Sequence, residues 1–449
     1  MKRLLTLLTL LLAGCSLGLN PVHITLPEQY IYTSEQPRSV ELQSRWWLIF
    51  EDERLDSIMM YAMEHNRDLQ AAASRVVQAH YNIAASRAAL LPSLGLVVQA
   101  EGKRTPPLSE QGEFQLGQSV SWSTALIGAL RNTTRQARDK YLSTEWAYRA
   151  LRLTLSHEVA TSYFTLVESQ QLLWLARRTL SLRLQAQALT DSLTRYGFAS
   201  GLDREQAHSL VSEAEADVAK YERALNVAQL SLSTLTGTTP QPSPTDSLHL
   251  PTLPKAIPAG IPSELLTHRP DLMQAHYELQ AAAAAVGIAR SERFPNIALT
   301  ESGGLFGRNV KGVFSNGEWA WNLTATLTQP VFSFGRLRRR EQMAREEYRQ
   351  TALKYEQSVL QALEDVEQAL TTISTLRLQG EHYARYVEHN AAIARLQQAL
   401  YERGMSNYLD VISTQQTWYI SQQQFTQIAM QQYQAIADLV LALGDGWQE

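Results

Sequence analysis

Residues 318–328 read EWAWNLTATLT, and this stretch decides what kind of fold the chain can have. Its apolar residues Trp319, Trp321, Leu323, Ala325 and Leu327 alternate with Asn322, Thr324, Thr326 and Thr328. A period of two predicts a β-strand with one apolar and one polar face, and about 10 residues suffice to cross a bilayer when the strand is tilted. A half-buried sheet in a soluble domain gives the same pattern, but the paired tryptophans favour a membrane, where indole rings prefer the headgroup boundary.

The same alternation predicts three further strands. Residues 93–126 alternate on both sides of the polar stretch GKRTPPLSEQG (102–112), which predicts a β-hairpin with that stretch as its loop. A second hairpin is predicted at about 296–332, although its first strand, 296–303, alternates poorly and GLFGRNVKG (304–312) has the composition of a loop. Four strands are too few for even the smallest ordinary membrane barrel, of eight. Because open strand edges are not tolerated in lipid, two or more copies of the chain must share one barrel.

The chain also contains an internal tandem repeat. Asp68-Leu69 and Asp271-Leu272 each open an alanine-rich helical stretch, which ends in LLPSL (90–94) or RFPNI (293–297). Further landmarks also recur: Gly197, Leu202-Asp203 and Gly237 correspond to Gly404, Leu409-Asp410 and Gly444. The distance along the chain between these matched residues is four residues longer than the distance between Asp68 and Asp271. Glycine, proline and Leu-Asp landmarks that stay in register are typical of a duplication and not of chance similarity between alanine-rich helices.

Helices are predicted for the rest of each repeat. They cover 54–90, 128–196 and 203–236 in repeat 1 (54–237), and the stretch before the hairpin, 335–403 and 406–443 in repeat 2 (262–449). A helix as long as 128–196 reaches roughly 100 Å at about 1.5 Å per residue, so it needs lateral partners. The proline-rich residues 238–261 predict a linker between the repeats.

The first residues predict export and a lipid anchor. Residues 1–14 have the layout of a signal peptide, with Lys2 and Arg3 before an apolar run that is too short to span a bilayer. LLAGC (11–15) resembles a bacterial lipobox, in which the cysteine becomes the lipidated first residue. A plain signal peptide with an incidental cysteine is the alternative, but Cys15 is the only cysteine of the chain and stands where a lipobox needs it. Residues 15–53 are therefore predicted to be a lipid-anchored N-terminal segment, and Ser16 after the cysteine implies the outer membrane.

Composition and motifs exclude several classes of function. The formal net charge is −4, which argues against a nucleic-acid partner. The sequence contains none of the tested catalytic motifs, such as HExxH, GxSxG or a phosphate-binding loop, and its 10 histidines are scattered. We therefore predict a protein that is not an enzyme, with no catalytic residue, no metal site and no cofactor other than the covalent lipid on Cys15.

Three stretches together resemble the TolC-like outer-membrane channel family, its lipidated branch included. They are WWLIFEDERLDSIMMYAMEHNRDL (46–69), HRPDLMQAHYELQAAAAAVGIARSERFPNI (268–297) and LDVISTQQ (409–416), and the similarity covers essentially the whole mature chain. The resemblance implies a mainly helical chain with membrane β-strands. Three copies would form a 12-stranded barrel in the outer membrane and a 12-helix tube in the periplasm, with residues 16–50 and 238–261 around the waist of the tube.

The resemblance also implies residues at the periplasmic tip of the tube. Asp203 and Asp410 each follow a glycine by six residues, and three copies would bring six such carboxylates into one ring that favours cations. Helix capping, with Asp203 and Gln206 at capping-box spacing, is the simpler interpretation, and the two are compatible. Tyr401 matches a family tyrosine that hydrogen-bonds across the closed tip, here to Asp203. Ser406 stands where the best-known member has a gate arginine.

Two functions from different classes remain open at this stage. The first is an outer-membrane channel of a tripartite efflux or secretion system, which conducts substrates passively from a periplasmic adaptor and an inner-membrane pump. The second is a lipid-anchored periplasmic coiled-coil protein with a structural or adaptor role. The two strand hairpins favour the channel, since a tether has no use for amphipathic strands of this length.

Overall fold

A computed structural model describes residue 19 and residues 26–32, 45–105, 109–125, 128–239, 253 and 262–444. The predicted signal peptide, Cys15 and nearly all of the predicted linker lie outside these residues. The chain divides into two compact units. The first unit lies within residues 74–146 and 272–358, and the second lies within residues 25–73, 147–271 and 359–449.

Long helices and one four-stranded sheet make up the described chain, which confirms the predicted fold class. In chain order the elements are α1 (Glu53–His65), α2 (Arg67–Ala88), β1 (Ser93–Thr105), β2 (Ser109–Ala125), α3 (Ala129–Arg195), α4 (Gly201–Leu235), α5 (Leu265–His268), α6 (Pro270–Ser291), β3 (Asn296–Gly307), α7 (Val310–Asn316), β4 (Glu318–Thr328), α8 (Arg336–Glu402) and α9 (Tyr408–Leu443). None of the described helices combines the length and the apolar character that crossing a membrane requires.

The sheet of the first unit is antiparallel throughout, in the order β1-β2-β3-β4. Leu94 lies opposite Val120, Val120 opposite Glu301, and Glu301 opposite Leu323. Because directly opposed residues share a face, the pairing places most of the apolar residues of the four strands on one side of the sheet. Glu301 lies on that same side, which explains why its strand alternates poorly in the sequence.

Both hairpins differ from the sequence prediction at their ends. β1 continues to Thr105 and β2 begins at Ser109, so strand pairing includes most of the stretch that was predicted to be a loop. β3 continues to Gly307, and the predicted loop 304–312 also contains the start of α7, whose first turn is capped by the Asn309 side chain. Polar composition predicted these stretches as loops, but backbone pairing with a neighbouring strand outweighs side-chain polarity.

Aromatic side chains form the core of the second unit. The turn of 3-10 helix at Trp46–Phe50 buries Trp46 and Phe50 completely or almost so, and the Trp46 indole donates to Ser156 Oγ at 3.0 Å. The rings of Phe50 and Phe164 meet edge to face, with 5.0 Å between their centroids. The Tyr163 hydroxyl donates to Asp52 Oδ2 at 2.6 Å, and Asp52 also caps α1. Thus the WWLIFED stretch fixes the start of α1 against the middle of α3.

The helix predicted over 54–90 is wrong as a single element, because it breaks at Asn66. The Asn66 backbone is extended, and its side-chain oxygen accepts from the Leu69 N–H at 2.9 Å, which caps α2. Its side-chain amide donates to the Leu235 carbonyl at the end of α4, also at 2.9 Å. One asparagine therefore ends α1, starts α2 and joins both to α4.

Arg269 makes the equivalent joint in the second repeat. It precedes α6 as Asn66 precedes α2, and its Nη1 donates at 3.0 Å to the carbonyl of Ala442, the residue that corresponds to Leu235. It also forms ion pairs with Asp271 at 2.7 Å and Asp365 at 3.0 Å. Burial lowers the pKa of Arg269, but the two carboxylates outweigh this effect and raise it, so the buried guanidinium stays charged. The two repeats thus make the same contact with different side chains.

Removing the Arg269 side chain should destabilise the second unit. We expect Arg269→Ala to lower the free energy of unfolding by about 2–3 kcal/mol, which is less than for a fully buried pair because Asp271 and Asp365 keep contact with water. The exposed pair of Arg177 with Glu222 provides the matched control, and Arg177→Ala should cost less than about 1 kcal/mol. Denaturant unfolding of the detergent-solubilised protein measures both; equal losses would contradict the role given to Arg269.

Candidate functional site

The two outer strands of the sheet, in the first unit, form one candidate site. β1 and β4 each pair with one neighbour only among the described residues, so each presents one edge of backbone N–H and C=O groups without a strand partner. On the apolar face these strands carry large exposed side chains, such as Leu96 at 78% and Trp321 at 69% exposure. A sheet with one apolar face, one polar face and two open edges can form a wall between hydrocarbon and water once its edges are paired.

The connections to α2, α3, α6 and α8 leave the sheet from one end. Ser93 lies opposite Ser121, Ala125 opposite Asn296, and Asn296 opposite Thr328, and these residues stand next to the helices that precede or follow the strands. The other end carries the hairpin connections, one of which contains the short helix α7. We name the end with the connections to the long helices the helical end, and the end with the hairpin connections the loop end. The long helices therefore continue the sheet at one end only.

Asp203 belongs to a separate candidate site in the second unit, at the turn between α3 and α4. Ser200 is the N-cap of α4: its hydroxyl accepts from the Asp203 N–H at 3.1 Å, and the Asp203 carboxylate accepts from the Ser200 N–H at 3.0 Å. The predicted capping box of Asp203 with Gln206 is therefore wrong. Asp203 closes the box from the third helical position, because Ser200 offers a cap one turn earlier.

Asp410 occupies the corresponding place at the turn between α8 and α9. Asn407 caps α9 by accepting from the Asp410 N–H at 2.9 Å, and the Ser406 hydroxyl donates to Asp410 Oδ2 at 3.2 Å. Gln397 in α8 contacts Ser406 through its side-chain amide. Ser406 stands where the best-known family member has an arginine, and here its uncharged hydroxyl ties Asp410 to its own turn.

Tyr401 lies close to both turns. Its ring centroid is 5.6 Å from that of Tyr408. Burial, then Tyr408 and the carboxylate of Asp203, raise the pKa of Tyr401 above the ordinary value for tyrosine, so the hydroxyl stays protonated and able to donate. Among the described residues of one chain it makes no hydrogen bond to Asp203.

A cleft of about 580 Å³ beside Tyr401 reveals a residue that sequence reasoning missed. Arg183 of α3 lies in its wall, is only 5% exposed, and donates to Gln415 at 3.0 Å and Gln416 at 3.2 Å in α9. Burial lowers the pKa of Arg183. An arginine within a long polar helix gives no sign of burial in the sequence, so only the structure identifies it.

A family model described as "Outer membrane efflux protein" matches residues 60–238 and 261–445. The chain belongs to the outer membrane efflux protein family. The two matched segments correspond to the two repeats, so both halves of this family member carry the family pattern.

Named relatives of this efflux protein agree with that assignment. The solvent efflux pump outer membrane protein SrpC of Pseudomonas putida is 34% identical over 411 residues, which are 89% of this chain and 86% of that protein. The cation efflux system protein CusC of Escherichia coli is 28% identical over 454 residues, 98% of this chain and 97% of that protein. The open-state MtrE outer membrane channel of Neisseria gonorrhoeae matches with a TM-score of 0.85 at 25% identity, over 95% of this chain and 97% of that one.

The cap at Ser200 can be tested separately from any role in transport. Ser200→Ala should destabilise the first turn of α4 by about 1 kcal/mol, because the Asp203 N–H loses its acceptor. Hydrogen exchange at the backbone amides of residues 201–204 should accelerate about fivefold, the rate equivalent of that free energy. The exposed substitution Ser413→Ala, in the second turn of α9, should leave those amides unchanged, and equal exchange in both variants would contradict the cap.

Proposed function

We propose that the protein is the outer-membrane channel of a tripartite efflux system and conducts solutes passively through a wall shared by three copies. The observation that carries the proposal is the amphipathic sheet with two open edges, in a chain of the outer membrane efflux protein family. Backbone groups at an open edge cost several kcal/mol each in hydrocarbon, so β1 of one copy must pair with β4 of another. Three copies give the 12 strands that the family resemblance implies.

The faces of the sheet suit a water-filled barrel. Opposed pairs such as Asn322 with Ser302 and Thr324 with Thr300 carry hydroxyl and amide groups on one side, and Trp321 and Leu323 lie on the other. With the polar side facing the lumen, a solute meets side chains that can hydrogen-bond to it. These side chains do not bind any one class of solute tightly. We therefore place cargo selection in the partner pump and not in this channel. A tether or adaptor, the alternative function, would have no use for such a sheet.

Energy and partners would come from outside the chain. The proposed role needs no catalysis by this chain, because an inner-membrane pump would drive transport. A periplasmic adaptor would connect that pump to the channel. The relative SrpC is named as the outer membrane protein of a solvent efflux pump, and CusC as a protein of a cation efflux system, which supports such partners here. The helical end of the sheet would then face the periplasm and the loop end the outside.

We place the narrowest part of the channel at the turns that carry Asp203 and Asp410. Local geometry supports this placement, because both carboxylates stand at the third position of a helix that follows a glycine turn. In addition, Tyr401 lies near Asp203 and its hydroxyl is protonated. Three copies would collect six carboxylates around one opening. Such a ring attracts cations and repels anions.

Replacing both carboxylates by amides separates their charge from their capping role. We expect Asp203→Asn with Asp410→Asn to lower the cation-over-anion permeability ratio several-fold, because amides keep a hydrogen-bond acceptor but carry no charge. Reversal potentials of single channels in planar bilayers measure this ratio. Glu222→Gln, in the middle of α4, is the matched control and should leave the ratio unchanged. An unaltered ratio in the double variant would remove the carboxylates from the constriction.

The lipid anchor on Cys15 has its own test. Intact-mass spectrometry of the purified protein should show a mature chain that begins at Cys15 and carries acyl groups, whereas Cys15→Ser should carry none. The variant should still fractionate with the outer membrane, because we attribute membrane insertion to the sheet and only an additional anchor to the lipid. A mature chain with a free Cys15 thiol would contradict the lipobox prediction.

A further inference from the structure

The connection between β4 and α8 distinguishes the second repeat from the first. The two hairpins, residues 93–125 and 296–328, have the same length. Three residues, 126–128, then lead into α3, whereas seven residues, 329–335, lead into α8. The four extra residues of the second repeat therefore lie in this connection, which reads QPVFSFG.

Three large apolar side chains of this connection lie in water in the single chain. Val331 is 92% exposed, Phe332 76% and Phe334 87%. The two phenyl rings meet edge to face, with 4.5 Å between their centroids. Phe334 has a φ of 49°, a left-handed conformation that a bulky side chain rarely adopts. A strained backbone that holds an aromatic ring in water does not help the single chain to fold, so it points to a binding role.

A hydrogen bond holds the start of the connection at the helical end of the sheet. The Gln329 amide donates at 3.1 Å to the carbonyl of Arg293, which lies three residues before β3 begins. The exposed rings follow within a few residues of Leu327, an exposed residue of the apolar face. In the orientation proposed above, this end marks the boundary between the bilayer and the periplasm. Aromatic side chains are favoured at such a boundary.

Arginines follow these apolar residues directly. Arg336, Arg338, Arg339 and Arg340 lie at the start of α8, and all four are exposed. Arg340 forms an ion pair with Glu292 at 2.9 Å. Within the described part of the chain, the other three form no ion pair.

The nearest carboxylate along α8 is already neutralised. Glu341 accepts from Arg293 at 2.7 Å and from Arg345 at 3.0 Å. It therefore does not balance the arginines that precede it, and the start of α8 keeps an excess of positive charge.

Arg339 combines this charge with the aromatic rings. At about 100° per residue, it lies on the side of α8 opposite the buried Leu337 and Glu341. Its Nε is 4.0 Å from the position that a Cβ would take on Gly335. The guanidinium thus turns back to the first turn of the helix and lies beside the residue that follows Phe334.

Pairing with another copy of the chain brings no carboxylate to these arginines. In the proposed barrel β4 pairs with β1 of the next copy, so the residues that precede β1 would come nearest. Residues 69–100, which include nearly all of α2 and the start of β1, contain no aspartate or glutamate. They do contain Arg75 and Arg87. The counter-charge therefore has to come from outside the protein.

We infer that this connection binds an anionic phospholipid, with the lipid phosphate against Arg336 and Arg339 and the acyl chains against Phe332 and Phe334. We name residues 331–339 the lipid loop. Arginine donates two parallel hydrogen bonds to phosphate oxygens, and basic residues beside a bilayer attract anionic headgroups. The inference rests on the proposed function, which puts the helical end at the periplasmic face of the outer membrane, and adds a lipid ligand.

The first repeat lacks this combination of residues. Ile127-Gly128-Ala129 stands where the second repeat has Phe334-Gly335-Arg336, and the shorter connection has no counterpart of Val331 and Phe332. Each chain therefore carries one such site.

Native mass spectrometry of the delipidated protein in detergent tests the charge. We expect the unsubstituted protein to bind phosphatidylglycerol about tenfold more tightly than phosphatidylcholine, whose headgroup has no net charge. Arg336→Gln with Arg339→Gln should weaken phosphatidylglycerol binding by about tenfold or more, because each charge contributes roughly fivefold. Arg308→Gln with Lys311→Gln removes the same charge from exposed residues at the loop end. This control should leave the affinity almost unchanged.

The same measurement tests the apolar contact. Phe332→Ser with Phe334→Ser should weaken the binding of both lipids by a similar factor, because it removes apolar area and no charge. An excess of inorganic phosphate should leave the bound lipid in place, since a free ion cannot use the contact with the rings.

The outcomes separate this inference from the proposed function. The lipid site is overturned, and the shared channel stands, if a trimer binds both lipids equally or loses equal affinity in the arginine and control variants. Displacement of the lipid by inorganic phosphate also overturns it. If the arginine variant is a monomer where the unsubstituted protein is a trimer, the loop is a contact between copies and not a lipid site. If the unsubstituted protein is itself a monomer in detergent, the proposed channel is overturned together with the inference.

Discussion

Backbone hydrogen bonds at the edges of a four-stranded sheet constrain everything else in this molecule. Water satisfies an open strand edge, but hydrocarbon does not, so a sheet with an apolar face can enter a bilayer only when both edges are paired. β1 and β4 are the edges that one chain leaves open. A single chain therefore cannot complete its own wall, and the helices that continue from one end of the sheet must match the spacing that the shared wall imposes.

The internal duplication supplies two hairpins of the same kind. The structure shows that the two repeats share the positions of their contacts more than the side chains that make them. Asn66 and Arg269 stand before equivalent helices and reach the equivalent carbonyls of Leu235 and Ala442. The first does so with a neutral amide, and the second with a guanidinium that needs Asp271 and Asp365 as counter-charges. What the repeats share is the backbone geometry at the joint, while each has its own chemistry for holding it.

Much of this architecture could be predicted from the sequence because it depends on periodicity. Alternation in EWAWNLTATLT predicted a strand, and the repeated landmarks predicted the duplication. The predictions from the sequence were wrong where a single side chain determines where a helix or strand begins or ends. Asn66 breaks a helix without any proline or glycine, Ser200 caps α4 one turn before Asp203, and strand pairing continues through polar residues such as Ser109. Such choices depend on which tertiary partner reaches a backbone group, and a single sequence does not contain that information.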